Sequence, residues 1–203
     1  MKEGIVITIG REDGSGGKYI GEKLAEKLGI KCYDENLVTE TAKKYNIDAK
    51  KIQKNDEMPP VSILYFGGQP IPQKVFDEEA DVIKKIAESE SCIFIGRASN
   101  YVLRKLPNVI NVFIHAPLES RVERYSRRNN ISKEKAKKQI QEQDKKRSEF
   151  YKFYTNEKWG EAQNYNLSID TSKVGIDGAI SLIESYISLN NENNKNNKNN
   201  KII

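Results

Sequence analysis

The chain predicts a three-layer α/β/α fold around a five-stranded parallel sheet, and three observations carry that expectation. Short, continuous apolar runs alternate with helical segments from the N-terminus to residue 189. Those runs are apolar throughout, as in parallel strands covered on both faces, and do not alternate with polar residues. The first of them opens into the glycine-rich turn Gly10–Gly17 and then an amphipathic helix, so strand, turn and helix follow without a break. Ligands of open α/β sheets bind beyond the carboxyl ends of the strands. Here those ends are Gly10, Asp34, Gly96-Arg97, His115 and Asp170.

The elements follow in order. Ile5–Ile9 reads as a buried strand and Lys18–Leu28 as the helix after the turn. Ile30–Asp34 is a short strand ending in an acid. Glu35–Tyr45 has a helical apolar face, and 48–54 could add a turn or two. Asn55–Gln73 holds Pro59, Pro60, Gly67, Gly68, Pro70 and Pro72, a density that excludes a regular element. Its apolar centre suggests a lid, a binding loop or a contact with a second subunit. Val75–Ser89 is a helix, Cys92–Gly96 a strand, and Arg97 opens a helix through Leu103. Val109–Ile114 is the next strand, and Pro117 suits the first turn of the helix that follows. Ser132 caps a long polar helix to about Phe153. Tyr165–Ile169 is the last strand and Gly175–Leu189 the closing helix. Residues 190–203 are low in complexity and rich in Asn, and are expected to be disordered.

Composition bounds the function. The net charge is +5, of which the Asn/Lys tail supplies +2, so the body is close to neutral and argues weakly for nucleic acid. No apolar run approaches the roughly 18 residues of a membrane span. A strand beginning within a few residues of Met1 leaves no room for a signal peptide. Cys32 and Cys92 fall in apolar segments and read as buried free thiols of a cytoplasmic protein.

The turn is a ready phosphate site. Helix N-termini carry unpaired N–H groups and partial positive charge, and glycines let the backbone approach an anion. The spacing G-x-x-x-x-G-K-[ST] is not satisfied. With Lys18 as the motif lysine, the first glycine position is Glu12 and the Ser/Thr position is Tyr19. Glu12 and Asp13 would repel phosphate unless they point away or help to hold a metal. Arg121, Arg124 and Arg128 share one helical face, as a lid or as a solvated basic surface. Arg97, directly after a strand, points to the ligand crevice or to a structural ion pair such as one with Asp34. Asp34 could take a proton, order Mg²⁺-bound water, or pair with Lys18 or Arg97. His115 reads as structural rather than as a general base. Trp159, Tyr151, Phe153 and Tyr154 read as core or interface rather than as a base-stacking platform.

Several stretches resemble the cytidylate kinase-like family of P-loop nucleoside monophosphate kinases. They are Ile9–Gly29 with Gly14-Ser-Gly16, Tyr33-Asp34, Ile95-Gly-Arg97 with Tyr101-Val-Leu103, Phe113–Arg124, Asp144–Arg147, Tyr151–Trp159 and Ile169–Ser172. The resemblance runs from residue 4 to about 188. It implies a single P-loop kinase domain over residues 1–189, with an acceptor-binding insertion near 46–76 and a basic lid near 117–150. It implies ATP and Mg²⁺ as cofactors, CMP or dCMP as acceptor, and a nucleotide-binding protein that could be a homodimer. Lys18, Arg97, Arg121, Arg124 and Asp34 are the expected catalytic set. Gly10, Gly14, Ser15, Gly16, Gly17, Lys18, Tyr19, Arg128 and Arg147 are the expected nucleotide-binding set, and Ser15 and Asp34 the expected Mg²⁺ ligands. Ungapped alignment of Leu24–Gly29 puts Gly17 at the family's phosphate-binding lysine and Lys18 at its Mg²⁺-binding Ser/Thr. Ala98 stands where the family has Asp. A catalytically silent or regulatory nucleotide binder on the same fold is therefore the alternative, and a nucleic-acid binder the third reading.

Overall fold

β-branched runs dominate the centre of the molecule and pair side by side. The computed structural model describes residues 4–34 and 71–199. In chain order the elements are β1 (Val6–Arg11), α1 (Gly17–Leu28), β2 (Lys31–Tyr33), α2 (Ile71–Ser89), β3 (Cys92–Ile95), α3 (Ser99–Val102) and β4 (Val109–His115). They continue with α4 (Leu118–Asn129), α5 (Lys133–Thr155), a 3₁₀ turn (Ala162–Asn164), β5 (Leu167–Asp170) and α6 (Thr171–Asn199). The strands pair only in parallel, in the order β2-β3-β1-β4-β5. β1 is thus central, with Ile9 opposite Ile95 of β3 and Val112 of β4.

The two-residue side-chain period of a strand divides the core into two layers. Ile7, Ile9, Ile93, Ile110, Val112 and Ile114 face Ile20 and Leu24 of α1 and Ile180, Ile183 and Ile187 of α6. Val6, Tyr33, Cys92 and Phe94 face Val82, Ile83 and Ile86 of α2 and Leu103 after α3. Gly21 permits the close approach of α1, since a Cβ there would stand 2.9 Å from Ile95 Cδ1. This is the expected three-layer α/β/α arrangement. It places the β1–α1 loop, the β3–α3 turn and the start of α6 along one edge.

The structure adjusts several expectations. The first strand runs on to Arg11, because Gly10 and Arg11 still pair with Phe113 and Ile114 of β4. α2 begins at Ile71, which puts Pro72 in its first turn, where a missing N–H costs nothing. The closing helix starts at Thr171 and is interrupted at Gly175 (φ 70, ψ −175). It continues to Asn199, so the segment expected to be disordered from residue 190 is helical to that point. A nucleated helix gains one hydrogen bond for each residue it fixes, and Asn is a weak helix former without being a breaker. The expected helix Glu35–Tyr45, the 48–54 turn and most of the 55–73 loop lie outside the described residues. Among the described residues no helix is long and apolar enough to cross a membrane. Both cysteines are free thiols, Cys92 buried and Cys32 half-buried, and burial pushes each up to about 12.

Candidate active site

The β1–α1 loop is bound at its start to the next strand, Glu12 N donating to Ile114 O at 3.0 Å. It then turns through left-handed Gly14 (φ 74) and Gly16 (φ 93) into the exposed N-terminus of α1. Both turns need glycine for space as well as for φ. A Cβ on Gly14 would stand 3.0 Å from Arg121 O, and one on Gly16 2.3 Å from Ile176 Cδ1. Ser15, expected to face phosphate or Mg²⁺, instead points inward. It is fully buried, its hydroxyl donates to Glu12 O at 2.7 Å, and its carbonyl accepts from Thr171 Oγ1 at 2.8 Å. The loop's rigidity takes up the serine that the sequence offered as a ligand.

The loop acids line the space over the loop, but arginines neutralise both of them. Glu12 accepts from Ala116 N at 3.1 Å and lies 3.2 Å from Arg121 Nε. Asp13 N donates to Asp144 Oδ1 at 2.7 Å, and its carboxylate lies 3.3 Å from Arg147 Nη1. Arg121 is the hub. Buried at 7% exposure, it donates to Ala116 O (2.9 Å), Asp13 O (3.0 Å) and Asp144 Oδ2 (2.5 Å). Burial raises the Asp144 carboxyl, an effect opposed by the Asp13 N–H and the Arg121 guanidinium. Arg124 donates to Gly14 O at 2.9 Å and lies 3.3 Å from Thr171 Oγ1. The expected lid arginines are thus brought to the loop, with Arg121 committed behind it.

A hollow of about 550 Å³, open to solvent, lies over the loop. Residues 11–14 and 16–19 form one side, including Gly14, Gly16, Gly17, Lys18 and Tyr19. Arg124, Tyr125 and Arg128 of α4 and Arg147 of α5 form the other. Lys18 sends its Nζ to Asp34 Oδ2 at 2.8 Å, with Glu22 at 3.9 Å. Arg97 (φ 56) is buried, and its Nε donates to Glu79 Oε1 of α2 at 2.6 Å, so it makes a structural ion pair, as one of its two readings implies, with Glu79 in place of Asp34. Asp34 carries Lys18 and Ser15 is buried, so the two expected Mg²⁺ ligands do not form a protein-held site. Among the described residues no three His, Cys, Asp or Glu side chains cluster as metal ligands.

A second hollow, about 480 Å³ and open to solvent, lies beside the first across the ends of β1 and β3. Gly10 belongs to this hollow and not to the phosphate loop, where it was expected. A Cβ on Gly10 would stand 2.8 Å from Phe113 Cδ2 and 3.1 Å from the Tyr165 ring. Arg11, Arg97 and Arg147 supply positive charge, and Phe150, Tyr151, Trp159 and Tyr165 supply aromatic surface. Asn100 Nδ2 donates to Tyr151 OH at 2.8 Å, and burial pushes that phenol up to about 12. Tyr151 is buried in a core cluster with Phe76 and Ala98, and Trp159 packs against that cluster, as the core reading implies; both also line this hollow. Phe153 is half-exposed and Tyr154 packs on Phe76, as a core or surface reading implies. His115 lines neither hollow; its ring stacks on Phe113 and its carbonyl faces Thr171 Oγ1 at 3.4 Å. Asp170 Oδ1 accepts from Ser172 N at 2.8 Å, as a helix cap should.

Arg11 was missed on sequence, although a signal was present. Ile9-Gly-Arg11 repeats as Ile95-Gly-Arg97, and the two tripeptides end adjacent strands in register, Ile9 opposite Ile95. The two hollows share Arg11 and Arg147.

A model of the cytidylate kinase-like family matches residues 6–173. The chain belongs to this family. Among its relatives, the cytidylate kinase of Methanocaldococcus jannaschii is 29% identical over 187 residues, 90% of this chain and 97% of that protein. A crystal structure of an uncharacterized protein from Eubacterium ventriosum superposes with a TM-score of 0.73 at 30% identity, covering 91% of this chain and 98% of that one. A gluconokinase from Sinorhizobium meliloti superposes with a TM-score of 0.55 at 14% identity, covering 95% of this chain and 97% of that one. That last likeness speaks to the fold alone, which is the P-loop kinase fold of this family.

Proposed function

We propose that this chain transfers the γ-phosphoryl group of ATP to a nucleoside monophosphate, with CMP or dCMP as the favoured acceptor. The observation that carries the reading is the pair of adjacent hollows with Arg11 and Arg147 at their seam. Phosphoryl transfer asks for in-line positioning and for positive charge on the transferring oxygens, with little covalent chemistry from the protein. In this reading the N–H groups of residues 14–18 cradle the donor phosphates at the start of α1, with Arg124 and Arg128 above them. The acceptor base lies among Tyr151, Trp159 and Tyr165, and its phosphate near Arg97. An acceptor phosphate oxygen attacks the γ-phosphorus as the bond to the β-phosphate oxygen breaks, and the seam arginines hold the equatorial oxygens. Mg²⁺ would come with the nucleotide rather than to a preformed protein cage, and no step here runs through it. Residues 1–189 would form one domain, with 117–150 as the lid.

One observation favours a second reading, a non-catalytic nucleotide binder: Lys18 is held by Asp34. The test is an ADP-release assay over a panel of nucleoside monophosphates, run beside calorimetric titration with MgATP. Release of ADP above the ATP-only background, highest with CMP or dCMP, is expected. Protein that binds ATP yet turns over no acceptor would refute the transferase and leave the binder.

A further inference from the structure

With its second glycine at Gly16, the phosphate-loop spacing puts the first glycine at Arg11, the lysine at Gly17 and the Ser/Thr at Lys18. Two of these departures occupy one space. A Cβ built on Gly17 would stand 2.4 Å from Arg11 Cβ and 3.1 Å from Arg11 Cγ. Non-bonded carbon atoms settle at roughly 3.5–4.0 Å, so position 17 cannot carry a side chain while arginine stands at 11. A glycine at 11 would, conversely, open the volume in which a lysine at 17 begins. The two substitutions form an exchange. The cation has moved from the first turn of the helix to the end of the strand, across one packed contact.

Arg11 reaches the right place for such an exchange. Its side chain lines both the loop hollow and the aromatic hollow. It passes over Gly96, where a Cβ would stand 1.8 Å from Arg11 Nη1, so a second glycine is kept bare along its course. Lys18 starts one residue further on, about 100° around the helix, and its Nζ ends on Asp34 at 2.8 Å.

We propose that Arg11 takes the part of the motif's missing lysine: its guanidinium contacts the phosphates held on the N-terminus of α1, at the junction of donor and acceptor. Guanidinium suits the place because it stays charged and can bind two phosphate oxygens at once. The assignment rests on the phosphotransferase reading for its chemistry, but nucleotide binding alone decides it.

The experiment compares wild type, Arg11→Ala, Lys18→Ala, Gly17→Lys and the double variant Arg11→Gly/Gly17→Lys by MgATP calorimetry, thermal melting and turnover. Arg11→Ala is expected to weaken ATP by at least about tenfold and to cut turnover by about 100-fold or more, the scale of one lost transition-state donor. Lys18→Ala should cost less in both. Gly17→Lys alone should lower the melting temperature. The double variant should recover much of that loss and part of the ATP affinity, a non-additivity that independent roles would not produce. The proposal is overturned if Lys18→Ala costs more than Arg11→Ala, or if the double variant melts and binds as the sum of the singles. Wild type that binds ATP without turning over any acceptor refutes the transferase reading, while the binding and melting results still decide Arg11. Wild type that binds no ATP overturns both.

Discussion

Replacing Gly96 by alanine separates the strain of a backbone angle from the displacement of a side chain. Gly29, Gly96 and Gly175 all lie at positive φ, at 64°, 77° and 70°. A left-handed conformation costs a residue with a Cβ about 1–2 kcal/mol. At Gly29 nothing lies within 4 Å of the added methyl, so that cost is all there is. For a chain of this size it corresponds to a fall in melting temperature of about 2–8 °C. At Gly96 the methyl would also meet Arg11 Nη1 at 1.8 Å and Cζ at 2.9 Å. The guanidinium is the far end of a flexible side chain and can swing away, so the added loss of stability is small. The functional loss is not small, because the cation leaves the seam of the two hollows. The expected outcome is that Gly29→Ala and Gly96→Ala melt within a few degrees of each other. Only Gly96→Ala should weaken MgATP binding, by roughly the same factor as Arg11→Ala. The measurements are thermal melts and calorimetric titrations of the three variants. Gly96→Ala binding ATP as tightly as Gly29→Ala would refute the placement of the guanidinium over Gly96.

Arg121→Met leaves Asp144 and Glu12 without their shared cation and should destabilise the chain by about 3–5 kcal/mol in urea unfolding. Asp144 is already raised in the folded state, so its contribution is fully present below the ordinary carboxylate range and is lost as pH rises through the folded value. Removing Arg121 pushes that value further up, and the deficit should therefore be larger at pH 8 than at pH 5. The Cys92 thiol, pushed up to about 12 by burial, is thiolate to only about one part in ten thousand at pH 8; iodoacetamide should label it in the unfolded chain and not in the native one. Trp159→Ala should raise the KM for the nucleoside monophosphate about tenfold or more while MgATP affinity stays within a factor of two, since Trp159 lines the aromatic hollow and not the loop hollow.

What could be read from the sequence was local. Ile5–Ile9, Cys92–Ile95 and Val109–Ile114 announce themselves as covered parallel strands because every residue is apolar or nearly so. The glycine turn declares itself because Gly14 and Gly16 take backbone angles that other residues resist. Once strands and turn are placed, Arg97 and Asp34 fall at strand ends by arithmetic. Partners did not declare themselves. Asp13 and Arg147 are 134 residues apart, and a charge in a sequence carries no address for its counter-ion. That is why Glu12 and Asp13 looked like a liability for phosphate, when both are turned to arginines of α4 and α5. Ser15 shows the same gap from the other side. Its hydroxyl is the right chemistry for a ligand, but the nearby Glu12 carbonyl satisfies it first. The aromatic hollow draws on the end of β1, the β3–α3 turn, the start of α3, α5, and Trp159 and Tyr165 on either side of the 3₁₀ turn, and no single stretch of sequence contains it.

The arginines around the loop divide by how firmly protein oxygens already hold them, and that division orders their proposed roles. Arg121 is buried against Ala116 O, Asp13 O and Asp144, with contacts between 2.5 and 3.0 Å. A phosphate would have to break several charge-assisted bonds to recruit it, so it shapes the loop. Arg124 holds the Gly14 carbonyl at 2.9 Å and keeps its reach to Thr171 only at 3.3 Å. It sits in the loop hollow half committed. Arg147 of α5 lies 3.3 Å from Asp13 and 3.9 Å from Asp144, and it lines both hollows. A phosphate carrying two negative charges can outbid a single carboxylate at that distance, because a bidentate guanidinium–phosphate pair is both shorter and stronger. Displacing Arg147 from Asp13 leaves Asp13's backbone still held by Arg121 and Asp144, so the loop keeps its shape while its counter-ion changes hands. In the phosphotransferase reading Arg147 would exchange Asp13 for a phosphate while Arg121 keeps the loop that bears it in place.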